Sequence, residues 1–143
     1  MFFWFIGTSI ATIWFVFHDK KFVYRLVVAG ALAPDAIEVF LGHAGPLHSL
    51  VTMVAIMAVV MLITYGRKKS RSKMLAFVIG MFLHLVFDGA FTNTKMFWWP
   101  ISGLQFGDYA LPVFDRGLIN IPLELIGAAL LYWTYTKVKD TNA

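Results

Sequence analysis

The feature that most restricts what this chain can become is the spacing of its charges. Met1 to Phe17 contains no Asp, Glu, Lys or Arg, and neither does Ser49 to Tyr65. A helix of that length covers about 26 Å at ~1.5 Å per residue, close to the hydrocarbon thickness of a bilayer. Charged residues make up only 14% of the 143 residues, against about 25% in ordinary soluble domains. A water-soluble domain this small has too much surface to leave so sparsely charged. The mean hydropathy of +0.73 agrees. The expected solvent is therefore lipid, and each remaining polar side chain asks for a reason.

Five apolar stretches follow one another, at about residues 1–17, 22–41, 49–65, 74–91 and 120–136. They predict an all-α, polytopic membrane bundle of five transmembrane helices in a single domain spanning 1–143. The first stretch lacks a basic start and a small-residue cleavage site, so it reads as a retained span rather than a signal peptide. Pro34 removes a backbone donor in the second and disfavours helix at Ala33, which predicts a kink or a restart there. The basic run from Gly66 to Lys73 reads as a solvated loop. Some 28 residues separate the fourth and fifth stretches, and they include Phe97, Trp98, Trp99, Pro100, Phe106, Tyr109 and Phe114. So long and aromatic a connection is expected at headgroup level or as a re-entrant segment.

The charges then sort by side. Lys20, Lys21, Arg25, Arg67, Lys68, Lys69, Arg71, Lys73, Lys137 and Lys139 fall on one side of the five spans, and only Lys95 and Arg116 on the other. Basic residues mark the cytoplasmic face, which puts the amino terminus outside and the carboxyl terminus in the cytoplasm. The acids sort the opposite way. Asp35, Glu38, Asp88, Asp108, Asp115 and Glu124 lie toward the outer side, with only Asp19 and Asp140 inside. The orientation rule does not require that segregation, so a demand for negative charge on the outer side is the natural reading.

An ionisable group inside a span is costly and is a functional candidate by default. Asp35 and Glu38 are three apart and His84 and Asp88 four apart, each pair on one helix face. His43, His48 and Ser49 occupy the short outer connection, where the serine can cap the next helix. Three histidines and three carboxylates thus gather at the outer ends of three spans. Imidazole and carboxylate together suit a divalent ion, Zn first, with Mn or Fe also suited. With no cysteine in the chain, thiolate ligands and a cysteine nucleophile are excluded. Asp35, His43, His48, His84 and Asp88 are the candidate metal ligands and Glu38 the candidate catalytic acid. A metal so held brings the pKa of bound water to about 7 and makes hydroxide available for hydrolysis. His18 falls on the cytoplasmic side and outside this set.

These residues, in this order, resemble the YdjM-like family of membrane-bound metal-dependent hydrolases. The resemblance rests on Pro34 with Asp35, His43 with His48 and Ser49, His84 with Asp88, and Trp99 with Pro100, over roughly residues 30–102. Where that family often carries a second acid two residues after the first, this chain has Ile37 and offers Glu38. The resemblance implies an inner-membrane location in a bacterial or archaeal cell and a hydrolytic activity.

The expected function is attack of metal-activated water on an ester or phosphoester of a lipid-like, amphiphilic substrate at the outer face. Two readings from other classes stand beside it: an ion or proton transporter using the intramembrane acids, and a bundle in which a metal is only a structural staple. The cytoplasmic halves of the spans are almost free of polar groups, which weighs against transport. Membrane lipid is the expected surrounding partner, and no basic-aromatic patch suggests nucleic acid.

Overall fold

A computed structural model describes residues 1–41, 45–104 and 117–140, and all regular structure among them is helical. Helix α1 covers Phe2–Phe17, α2 Tyr24–Glu38, α3 Leu50–Ile63, α4 Lys68–Phe87, α5 the single turn Thr94–Phe97, and α6 Asn120–Asp140. Short 3-10 turns at Val39–Leu41 and Pro46–His48 carry the chain from α2 to α3. Two helices, α4 and α6, are long and apolar enough to cross a membrane, and α1 and α3 are shorter apolar helices.

The most extensive packing joins α2 to α4 and α1 to α6, with α1 also against α2 and α3 against α4. Glycine sets both main crossings. A β-carbon on Gly30 would lie 1.9 Å from the Phe77 carbonyl oxygen, and one on Gly80 2.1 Å from that of Val27. Likewise a β-carbon on Gly7 would lie 2.0 Å from the Gly127 carbonyl oxygen. Backbone therefore meets backbone at each crossing, the means by which helices associate when lipid leaves no hydrophobic drive between them.

Three local expectations change. The basic run is not a loop: α4 begins at Lys68 and contains Lys69, Arg71 and Lys73. Lys, Arg, Met and Ala are strong helix formers, so a run of charge does not by itself end a helix. At its other end α4 stops at Phe87, where Asp88 caps it and Gly89 takes a left-handed φ of 69°. Pro34 does not restart α2, which continues through it to Glu38. The missing donor touches only the Gly30 carbonyl, and the chain tolerates that one loss.

The first half of the aromatic connection folds back onto the bundle. Asn93 caps α5 by accepting from the Met96 N–H, and Met96 is buried with Ala90 against Met53, Met81 and Leu85. Ser49 caps α3, accepting from the Thr52 N–H, and its hydroxyl donates to the Trp99 carbonyl. Phe106, Asp108, Tyr109, Phe114, Asp115 and Arg116 lie outside the described residues.

Candidate metal centre

The polar residues at this end of the bundle arrive on three elements. Asp35 and Glu38 stand on the last turn of α2, His48 ends the Pro46–His48 turn, and His84 and Asp88 stand at the end of α4. The Gly30–Gly80 contact brings α2 and α4 close enough for these ends to meet. Glu38, His48, His84 and Asp88 are fully buried, while Asp35 keeps a partly exposed side.

The two imidazoles are fixed by their Nδ1 atoms. His84 Nδ1 lies 2.7 Å from the Ala31 carbonyl oxygen, which can only accept, so Nδ1 carries the proton. The Ala31 carbonyl is adjacent to the one freed by Pro34. His48 Nδ1 lies 2.6 Å from Glu38 Oε2. With both Nδ1 atoms committed, the Nε2 atoms are left to face the centre. This is the arrangement by which an outer hydrogen bond sets the tautomer of a metal-binding histidine. Phe5 of α1 packs against His84 with ring centroids 4.1 Å apart and the rings tilted by 37°, and closes that side.

The Nε2 atoms of His48 and His84 are 3.4 Å apart. Asp35 Oδ1 lies 3.3 Å from His84 Nε2 and 3.6 Å from His48 Nε2. That oxygen is buried and accepts no hydrogen bond of normal geometry. Ligands at ~2.0–2.2 Å from a tetrahedral ion are separated by about 3.3–3.6 Å. The three observed separations fall in that range, so Asp35, His48 and His84 fit the donor set of one divalent ion. Asp88 Oδ2 stands 3.6 Å from His48 Nε2 as a second carboxylate. Burial works against a charge on His48, but the carboxylates of Asp35 and Glu38 outweigh it and raise its pKa to about 9.

Glu38, the expected catalytic acid, is held by the connection that follows α2. Its oxygens accept from the N–H groups of Gly45 and Leu47, at 2.5 and 2.6 Å, and contact His48 Nδ1. Three contacts on a buried carboxylate fix its orientation. It folds the α2–α3 connection around itself and aims His48.

The model of the YdjM inner membrane protein family matches residues 4–140. The chain belongs to that family. No curated protein and no solved structure shows a match to it. Of the residues singled out in this YdjM-family sequence, Asp35, His48, His84 and Asp88 come together and Glu38 supports them. His43 lies outside the described residues. Glu124 is elsewhere: it accepts from the Phe3 N–H at 2.8 Å and faces the amino terminus, capping α1 from α6. His18 is exposed at the opposite end of α1. Sequence reasoning missed Phe5 and the Ala31 carbonyl, for which an apolar run and a backbone group give no signal.

Proposed function

We propose that this protein is a membrane-embedded, metal-dependent hydrolase acting on an ester or phosphoester of a lipid-like substrate at the outer face of a five-span bundle. The observation that carries the reading is the convergence of His48 Nε2, His84 Nε2 and Asp35 Oδ1 at 3.3–3.6 Å with both Nδ1 atoms anchored. Asp35, His48 and His84 would hold the ion, Zn first, with Mn or Fe also suited. When bound, it supplies an acidified water and polarises the scissile group.

The chain's own residues supply the rest. Glu38 and the Ala31 carbonyl hold the imidazoles in one orientation, so the donor set forms without rearrangement. Asp88 Oδ2, buried beside the same His48 nitrogen, is the group placed to hold a proton. Phe5 seals the α1 side, which leaves the partly exposed edge of Asp35 as the way in. An apolar cleft of about 420 Å³ lies against Val51, Ala55 and Val59 of α3 and against Trp99 and Pro100. Ser49, next to His48, holds the Trp99 carbonyl, so this cleft is tied to the centre and suits the hydrocarbon part of an amphiphile. The distribution of Lys and Arg supports an outer location for the site, with the amino terminus outside and the carboxyl terminus cytoplasmic.

The test is hydrolysis of acyl-ester and phosphodiester substrates, phospholipids among them, by protein purified in nanodiscs. Activity should vanish with chelator, return on adding the divalent ion, and be absent in folded Asp35→Asn and His84→Ala variants. Hydrolysis that persists in chelator or in both variants would refute the reading. Bound metal that raises the melting temperature without hydrolysis would make it a structural staple, and metal-independent ion flux in liposomes would make the protein a transporter.

A further inference from the structure

A second cleft, of about 400 Å³, lies toward the basic end of the bundle. Leu26 of α2, Ile56 and Val60 of α3, and Met74, Phe77 and Val78 of α4 form its wall, and Lys73 is its one charged lining residue. In a member of an inner membrane protein family, an apolar recess between three helices is suited to a hydrocarbon chain. Lys73 is eleven residues before His84, about 16 Å along the helix axis. The cleft is therefore separate from the candidate metal centre.

The charge at its rim is unbalanced. Lys73 is exposed and makes no ion pair among the described residues. It follows Lys68, Lys69 and Arg71 in the first turns of α4, which has neither an acid in its first turn nor a capping side chain. Positive side chains at a helix amino terminus oppose the macrodipole, and an anion there relieves both. A lysine can bury its stem along an apolar wall while its ammonium reaches the headgroup level.

We infer that the bundle binds an anionic phospholipid here, with one acyl chain in the cleft between α2, α3 and α4 and the headgroup phosphate on Lys73. An apolar wall and a cation line one recess, matching the acyl chain and phosphate that such a lipid joins. The site needs no metal, so it stands or falls apart from the hydrolase reading.

Native mass spectrometry of the intact protein, titrated with phosphatidylglycerol and with phosphatidylcholine of the same acyl chains, tests it. The expected result is one preferentially retained phosphatidylglycerol. Lys73→Ala should weaken its retention about fivefold, the size of one lysine contact with an anionic membrane. Met74→Trp fills the cleft from a position already 38% exposed and leaves every charge in place. It should weaken retention at least as much, whereas Lys68→Ala should change little. Helical content and melting temperature confirm that each variant is folded. Equal retention of the two lipids overturns the site. So does a loss with Lys68→Ala matching that with Lys73→Ala while Met74→Trp is neutral, which would mean diffuse attraction to basic surface. Displacement of the lipid by glycerol phosphate as readily as by intact phosphatidylglycerol would reduce the site to one for phosphate alone and also overturn it.

Discussion

At the α2–α4 crossing and at the α1–α6 crossing, backbone meets backbone through facing glycines: Gly30 with Gly80, and Gly7 with Gly127. The packing device is the same and the consequence differs. Beyond Gly30 and Gly80 the helices end in Asp35, Glu38, His84 and Asp88, and the intervening turn adds His48, so close approach gathers carboxylates and imidazoles into one cluster, buried except at Asp35. Beyond Gly7 and Gly127 the polar contacts run from Glu124 to the Phe3 N–H and the amino terminus. One crossing positions chemistry and the other attaches a helix. Intimate helix packing is thus not by itself a mark of function; what matters is which side chains it brings together.

The contrast can be broken most severely at the glycines. Gly80→Leu forces a side chain into the Val27 carbonyl, and since backbone cannot yield as a side chain can, folded protein and any bound metal should be lost together. Gly127→Leu should displace α6 from α1 and lower the melting temperature sharply while metal content per folded chain stays unchanged. Metal analysis beside circular dichroism reads both, and metal loss in folded Gly127→Leu protein would show that the two crossings are not independent.

A finer cut separates aiming from ligation. Glu38→Gln keeps shape and replaces one accepting oxygen by a donor, setting it against the N–H of Gly45 or the Nδ1–H of His48. Metal affinity should fall by about 10–100-fold, as when the outer partner of a ligating histidine is changed, with helical content preserved. Titration with Zn against a chromophoric chelator measures it, and unchanged affinity would remove Glu38 from any role toward the centre. The smallest effect belongs to the other crossing. Glu124→Gln weakens a favourable charge at the α1 amino terminus worth roughly 0.5–1 kcal/mol. It should lower the melting temperature slightly and leave metal binding alone.

Much of the site was legible because cost in lipid singles out its residues. Asp35, His48, His84 and Asp88 could be grouped by placing each at the end of an apolar run and sorting the ends by the distribution of Lys and Arg. The role of Glu38 was not legible, because it depends on which backbone N–H groups the turn after α2 turns inward. Phe5 was hidden by its likeness to every other aromatic residue in α1. The beginning of α4 was misplaced for a different reason: Gly66 to Lys73 were read as a solvated loop, and a charged segment made of good helix formers continues a helix instead. Pro34 illustrates the limit of local rules, since tertiary packing against α4 keeps α2 whole around one missing hydrogen bond.

The central claim is that Asp35, His48 and His84 are ligands of one divalent ion. Elemental analysis of the purified protein, beside folded His84→Ala, tests it most directly. About one divalent ion per wild-type chain is expected, with its loss in the variant, as for a site with so few protein ligands. A wild type that takes up no divalent ion when supplied with it, or a folded His84→Ala variant that keeps the full complement, would contradict it.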